Sequence, residues 1–221
     1  MREILKIRHL KRSDPALGAV ITKIHTGKFS GGEDYFKLPK RRDHFRSLVV
    51  EIVNQQLSGK AAATILARFV ALFRPARKSA HARPRKKFPS SEEVLKMPTA
   101  KMRKAGLSRM KASFLKDLSR RVLDGTVDFR KMGRWSDEEV IEHLTRVKGI
   151  GRWTAEMFLM FSLGREDVFS YGDLGLRNAM RKIYGLRRHP TPRQAEKIAA
   201  KWKPYRTLAS RYLWASVDVK D

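Results

Sequence analysis

Phe45, Leu48, Val49, Ile52 and Val53 stand at i, i+3, i+4, i+7 and i+8, and the same helical spacing returns in segment after segment of the chain. An α-helix turns once in about 3.6 residues, so this spacing lines one face and demands a surface to cover it. Ala62, Ile65, Leu66, Phe69 and Phe73 repeat the pattern. So do Phe114, Leu115, Leu118 and Val122, then Val140, Ile141, Leu144 and Val147, then Leu176, Ala179, Met180 and Ile183, closing at Gly185. No run of strand-like alternation competes with them. The chain is therefore predicted to be all-α, with these stripes as its core. Three helix starts are also marked: Ser90 with Glu93, Ser136 with Glu139 and Thr191 with Gln194 have the capping-box spacing, and Pro192 stands where a first helical residue belongs.

Two of these stripes are joined through "VKGIGRWTAEM", residues 147–157. A helix ending near Val147, a turn through Gly149 and Gly151, and a helix from about Arg152 make a helix-hairpin-helix pattern. Glycine takes positive φ without penalty and lets another backbone come close. Amides at the start of a helix point outward, where the helix dipole favours an anion. A DNA phosphate fits such a turn, which would position the protein without reading bases. The plain alternative is a tight turn with no ligand.

Charge favours the phosphate. The 221 residues carry 49 Lys and Arg against 22 Asp and Glu, a formal +27, and the isoelectric point is near 10.9. A polyanion is the natural partner of such a chain, nucleic acid ahead of an anionic membrane. Residues 74–90, "RPARKSAHARPRKKFPS", hold seven of the cations, three prolines and no acid, and read as a flexible basic loop. Without those seven the remainder still carries +20 (27 less 7), so the folded body itself is cationic. There is no apolar run of membrane-spanning length, and "MREILKIRHLKRSDP" lacks the core of a secretory signal. A soluble intracellular monomer with no membrane partner is expected, cytoplasmic or at the nucleoid in a prokaryote and nuclear in a eukaryote. The absence of cysteine excludes disulfides, thiolate zinc sites and cysteine-held iron-sulfur clusters. The six histidines are scattered and make no metal-ligand spacing.

After the hairpin, "DVFSYGDLGLR" places Asp173 at the start of a new helix, where Asp is also an ordinary N-cap. With this continuation the sequence resembles the helix-hairpin-helix superfamily of DNA glycosylases. "VKGIGRWTAEMF", "DVFSYGDLGLR" and "WKPYRTLASRYLW", with "NQQLSGKAA" and "AGLSRMKASFL" upstream, are similar to its alkylpurine branch, DNA-3-methyladenine glycosylase II, over most of residues 43–214. The resemblance implies a two-lobed helix-hairpin-helix glycosylase fold. Residues 1–44 and 166–221 would form one lobe, and 45–165 the middle lobe with wedge loop and hairpin. Residues 1–44 are too few for the extra N-terminal β domain of the inducible bacterial members.

The resemblance also implies an activity, in which a damaged nucleotide in double-stranded DNA is flipped out and its N-glycosidic bond cut. The catalytic carboxylate falls on Asp173. The base pocket falls on Trp153, Met157, Leu174 and Trp214, and Met157 and Leu174 stand where the inducible bacterial enzymes have tyrosines. DNA contacts fall on Gln56, at the wedge tip, and on Leu57, Ser58, Lys148, Gly149, Gly151 and Thr154. Backbone carbonyls of Thr145, Val147 and Ile150 would hold a monovalent cation, Na or K; no other cofactor is expected. Relatives that nick the backbone carry a lysine where Trp153 stands, and tryptophan has no amine to attack the sugar. Excision of N3-methyladenine and N7-methylguanine by hydrolysis is the reading this favours. A bifunctional oxidised-purine glycosylase/lyase and a non-catalytic DNA-binding module remain the alternatives.

Overall fold

A computed structural model of the chain describes residues 2–27, 33–36, 43–73 and 88–218, and every regular element among these described residues is helical. Residues 74–87 of the basic segment 74–90 lie outside them. By contacts the chain divides into one unit of residues 42–158 and another made of residues 1–41 and 159–221.

The middle unit contains α3 (His44–Asn54), α4 (Gly59–Ala71), α5 (Ser91–Lys96), α6 (Thr99–Lys104), α7 (Arg109–Leu123), α8 (Phe129–Met132), α9 (Asp137–Thr145) and α10 (Arg152–Phe158). All five stripe residues of α3 are buried, as are Ala62 and Phe69 of α4. Both capping boxes predicted here form: Ser90 and Ser136 each accept the amide three residues on, and Glu93 and Glu139 reach back to the cap amides. Val147, read as the end of a helical stripe, lies beyond α9 in the turn and is buried there.

The discontinuous unit contains α1 (Arg2–Ser13), α2 (Pro15–Thr26), a 3-10 turn at Glu33–Phe36, a π turn at Leu159–Leu163, α11 (Leu174–Ile183), α12 (Pro192–Ala199), a 3-10 turn at Ala200–Trp202 and α13 (Arg206–Asp218). Leu10, Leu17 and Ile21 from its first segment share a core with Leu176, Met180, Trp202 and Tyr212 from its second. Asp14 ties the two segments with a polar knot. Only 1% exposed, it caps α2 through the Leu17 amide at 3.2 Å and accepts from the Tyr184 hydroxyl at 2.7 Å and Trp202 Nε1 at 3.1 Å. A buried carboxylate needs such donors, because leaving it unpaired costs several kcal/mol.

The unit boundaries at 41/42 and 158/159 differ from the sequence-based ones at 44/45 and 165/166. The second differs most, for a local reason. The chain leaves α10 directly into the π turn, and Phe161 of that turn packs on Trp214 of α13 with ring centroids 5.9 Å apart.

Candidate active site

The segment before α11 is pinned on several sides. Thr207 Oγ1 donates to the Arg165 carbonyl at 2.7 Å and accepts the Val168 amide at 3.1 Å. The Arg206 guanidinium grips Asp167 at 2.8 and 3.1 Å, and the Tyr171 hydroxyl donates to the Pro190 carbonyl at 3.3 Å. At the end of this segment the Asp173 amide donates to the Ser170 carbonyl, and the Asp173 side chain caps α11 by accepting the Leu176 amide at 2.8 Å. The same oxygen, Oδ1, accepts Trp214 Nε1 at 2.9 Å. Gly175 leaves room beside that bond: a Cβ there would sit 3.0 Å from Asp173 Oδ1 and 3.3 Å from Trp214 Nε1, tighter than an ordinary contact. A partly exposed carboxylate is thus held in a fixed rotamer at a helix N-terminus, with an indole beside it. Leu174, next in the chain, is 55% exposed.

The hairpin in the middle unit has an equally specific scaffold. Gly149 takes φ +80°, and a Cβ on it would overlap the ring of Phe114. The Ile150 amide closes the turn onto the Val147 carbonyl at 3.1 Å, and the Lys148 amide donates to Asp117 Oδ2 at 2.9 Å. With those two donors committed inside the protein, the remaining amides of the turn are those of Gly149 and Gly151. Gly151 departs from expectation: its φ is not positive, and nothing lies within 4 Å of where its Cβ would be. Its glycine is not needed by the turn, and what it provides is open approach to the start of α10.

The loop of residues 55–58, expected from the sequence to be the wedge, lies against this hairpin. Gln56 has φ +55°, unusual for a residue with a Cβ, and is exposed with Leu57 and Ser58. Ser58 caps α4 through the Ala61 amide at 3.4 Å. Gln55 Nε2 donates to the Gly149 carbonyl at 2.8 Å, joining the two loops directly. Between them runs a groove of about 460 Å³ lined by Gln55, Gln56, Gly149, Gly151, Trp153 and Thr154, among others. Trp153 is 41% exposed, whereas Thr154 and Met157 are buried.

The family model of the HhH-GPD superfamily of base excision DNA repair proteins matches residues 49–204, from α3 through the hairpin and α11 to the edge of α13. The chain belongs to this superfamily. It is 35% identical over 183 residues to DNA-3-methyladenine glycosylase 1 of Schizosaccharomyces pombe, covering 82% of this chain and 76% of that protein. The solved 3-methyladenine DNA glycosylase of S. pombe, in complex with abasic DNA, matches at TM-score 0.77 and 32% identity over 97% of each chain. A DNA-3-methyladenine glycosidase from Bacillus halodurans matches at TM-score 0.73 and 33% identity, over 95% of this chain and 87% of that one.

In this HhH-GPD chain the sequence-predicted residues gather into two groups. Asp173, Leu174 and Trp214 come together in the discontinuous unit. Gln56, Gly149, Gly151, Trp153 and Thr154 share one groove in the middle unit, with Leu57, Ser58 and Lys148 exposed nearby in sequence. The residues that sequence reasoning missed are those that hold others in place: Gln55, Lys111, Phe114, Asp117 and Gly175. Asp117 carried no signal, since it stands on the opposite side of α7 from Leu115 and is buried nonetheless. The rest make contacts that no local pattern announces. Among the described residues no group of His, Cys, Asp and Glu could hold a metal ion, and no helix is long and apolar enough to cross a membrane.

Proposed function

We propose that this protein is a monofunctional DNA glycosylase that removes alkylated purines, N3-methyladenine and N7-methylguanine, from double-stranded DNA. The observation that carries the reading is the Asp173 carboxylate, fixed by the Leu176 amide and the Trp214 indole, in a chain whose relatives are named 3-methyladenine glycosylases.

A purine alkylated at N3 or N7 is cationic and already a good leaving group. When the C1′–N bond breaks, its electron pair goes to the purine, which departs neutral, and positive charge develops on the sugar. A carboxylate in fixed position stabilises that charge without reorganising as it forms. Water then adds to C1′ and releases a proton to solvent. Trp153 and Trp214 offer indole faces, which attract a cationic base more than a neutral one. The Gly149 and Gly151 amides suit a phosphate, and the Gln56 loop suits the gap left by the flipped nucleotide.

The carbonyl oxygens of Thr145, Val147 and Ile150 are hard, neutral donors of the kind Na or K accepts. The Val147 carbonyl, which accepts the Ile150 amide, keeps a second lone pair for it. Such a cation would brace the turn and takes no part in bond cleavage. The deciding experiment is incubation of the protein with methylated genomic DNA and identification of released bases by mass spectrometry. Release of N3-methyladenine and N7-methylguanine is expected, and their absence would leave a DNA-binding module.

A further inference from the structure

Helix α7 carries three side chains at a spacing of three, and each reaches a different part of the groove's two walls. Lys111 comes first. Its Nζ donates to the Val53 carbonyl and to the Gln55 carbonyl, both at 2.7 Å. These carbonyls belong to the end of α3 and the first residue of the wedge loop, where a helix leaves acceptors without intrahelical partners. A cation there also complements the negative end of the helix dipole. Phe114 comes second, with its ring filling the space beside Gly149 where any other residue would place a Cβ. Asp117 is third and accepts the Lys148 amide at 2.9 Å, a bond that fixes the hairpin from below. The side chain of Asp117 is itself buried and held by Arg121 at 3.1 Å.

Lys111, Phe114 and Asp117 lie within roughly a third of the helix circumference, since each step of three residues turns about 300°. One rigid element therefore grips both loops, and the Gln55 to Gly149 hydrogen bond closes the bracket on its far side. The strained residue of the assembly, Gln56, follows directly after Gln55, whose carbonyl Lys111 holds. Backbone held in a sparsely populated region persists only where its surroundings over-determine it.

We infer that α7 is a positioning element, in which Lys111 holds the wedge loop while Phe114 and Asp117 hold the hairpin, so that the distance from the Gln56 tip to the phosphate-binding turn is set before DNA arrives. This rests on the glycosylase reading above and deepens it, assigning to Lys111 a role in nucleotide flipping that involves no contact with the base. A misplacement of about 1 Å away from the chemistry can cost on the order of a hundredfold in rate. A loosened wedge should therefore act on flipping, and little on the hairpin's hold on undamaged DNA.

The test uses the full chain, Lys111→Met and Lys111→Arg, with Gln55→Leu as an independent break in the same bracket. Three quantities are read: affinity for undamaged duplex, the fluorescence rise of 2-aminopurine beside an N7-methylguanine, and the single-turnover excision rate at saturating enzyme. For Lys111→Met we expect affinity within about twofold of wild type, and loss of most of the fluorescence rise with an excision rate roughly ten- to a hundredfold lower. Lys111→Arg, which keeps donors for both carbonyls, should recover much of the rate. Placing the lesion in a single-nucleotide bulge, where unstacking is already done, should shrink the defect of Lys111→Met. If Lys111→Met melts below the assay temperature, Gln55→Leu gives the same reading by breaking the bond between the two loops, with its own affinity for undamaged duplex as the control for its place in the groove. Folded variants that flip and excise like wild type, or a defect equally large on bulged DNA, would overturn the inference. Wild-type protein that releases no methylated base would instead overturn the glycosylase reading, so the two failures are distinct.

Discussion

Trp214 Nε1 and Asp173 Oδ1 are 2.9 Å apart, and that oxygen also accepts the Leu176 amide at 2.8 Å. Helix cap and candidate catalytic group are therefore one atom's work. Asp173→Asn separates charge from geometry. The Asn carbonyl can take over both hydrogen bonds, and Asn caps a helix about as well as Asp. Melting temperature and DNA affinity should stay near wild type, while removal of a preorganised charge should slow excision by on the order of 10²- to 10³-fold. Single-turnover assay on both methylated purines checks this, and a normal rate would reduce Asp173 to a cap.

Base release should occur without strand cleavage. Position 153 offers an exposed indole and no amine, so borohydride should trap no protein–DNA adduct, and nicks should appear only after alkali treatment. A robust adduct in a denaturing gel would contradict the monofunctional assignment.

The two hairpin glycines should behave differently. Gly149→Ala meets both a positive φ and the Phe114 ring, and should lower the melting temperature by an amount corresponding to at least about 1 kcal/mol. Gly151→Ala meets neither, and should fold normally yet bind DNA more weakly, because its methyl group stands where a phosphate would approach. Thermal melts and filter binding on the two single variants separate these effects.

Asp117 should make the hairpin acid-labile. Burial pushes its carboxyl up, but the Lys148 amide and the Arg121 guanidinium outweigh burial and hold it below the ordinary carboxylate value. A carboxyl whose folded value is depressed stabilises the fold above its unfolded value, about 3.9, and loses that contribution as pH falls through the folded one. Asp117→Asn should therefore be less stable than wild type at neutral pH, and the gap should narrow below about pH 4. Equal melting-temperature profiles for the two proteins from pH 3 to 7 would exclude this.

A monovalent cation at the Thr145, Val147 and Ile150 carbonyls would make hairpin stability depend on the salt chosen. At constant ionic strength, exchanging KCl for the chloride of a bulky organic cation should lower the melting temperature and weaken DNA binding together. No change in either would remove the cation from the site.

Helix positions and caps were readable in the sequence because they depend on neighbours in the chain. Ser136 with Glu139 and Thr191 with Gln194 form the boxes their spacing announced. The first two helices were not foreseen. The apolar residues of α2, Leu17, Ile21 and Ile24, do follow helical spacing, but α1 exposes Ile4 and Leu5 and blurs the signal. In the candidate site, Gly149 was legible because a tight turn calls for positive φ, and Asp173 because an Asp before a helical stripe reads as its N-cap. Lys111 and Gln55 were not, since a lysine bound to carbonyls 58 and 56 residues away leaves no trace in its own surroundings. For Gly151 the backbone angle was not legible, since a glycine with positive φ and one without look the same in sequence.

The discontinuous unit has a consequence for synthesis. Helices α1 and α2 leave the ribosome before the middle unit, yet Leu10, Leu17 and Ile21 share a core with Trp202, Leu208 and Tyr212, which leave after it. Residues 42–158 can complete their own contacts while those early apolar faces wait. During translation the nascent chain should therefore display a sticky N-terminal pair of helices for the time needed to add the whole middle unit.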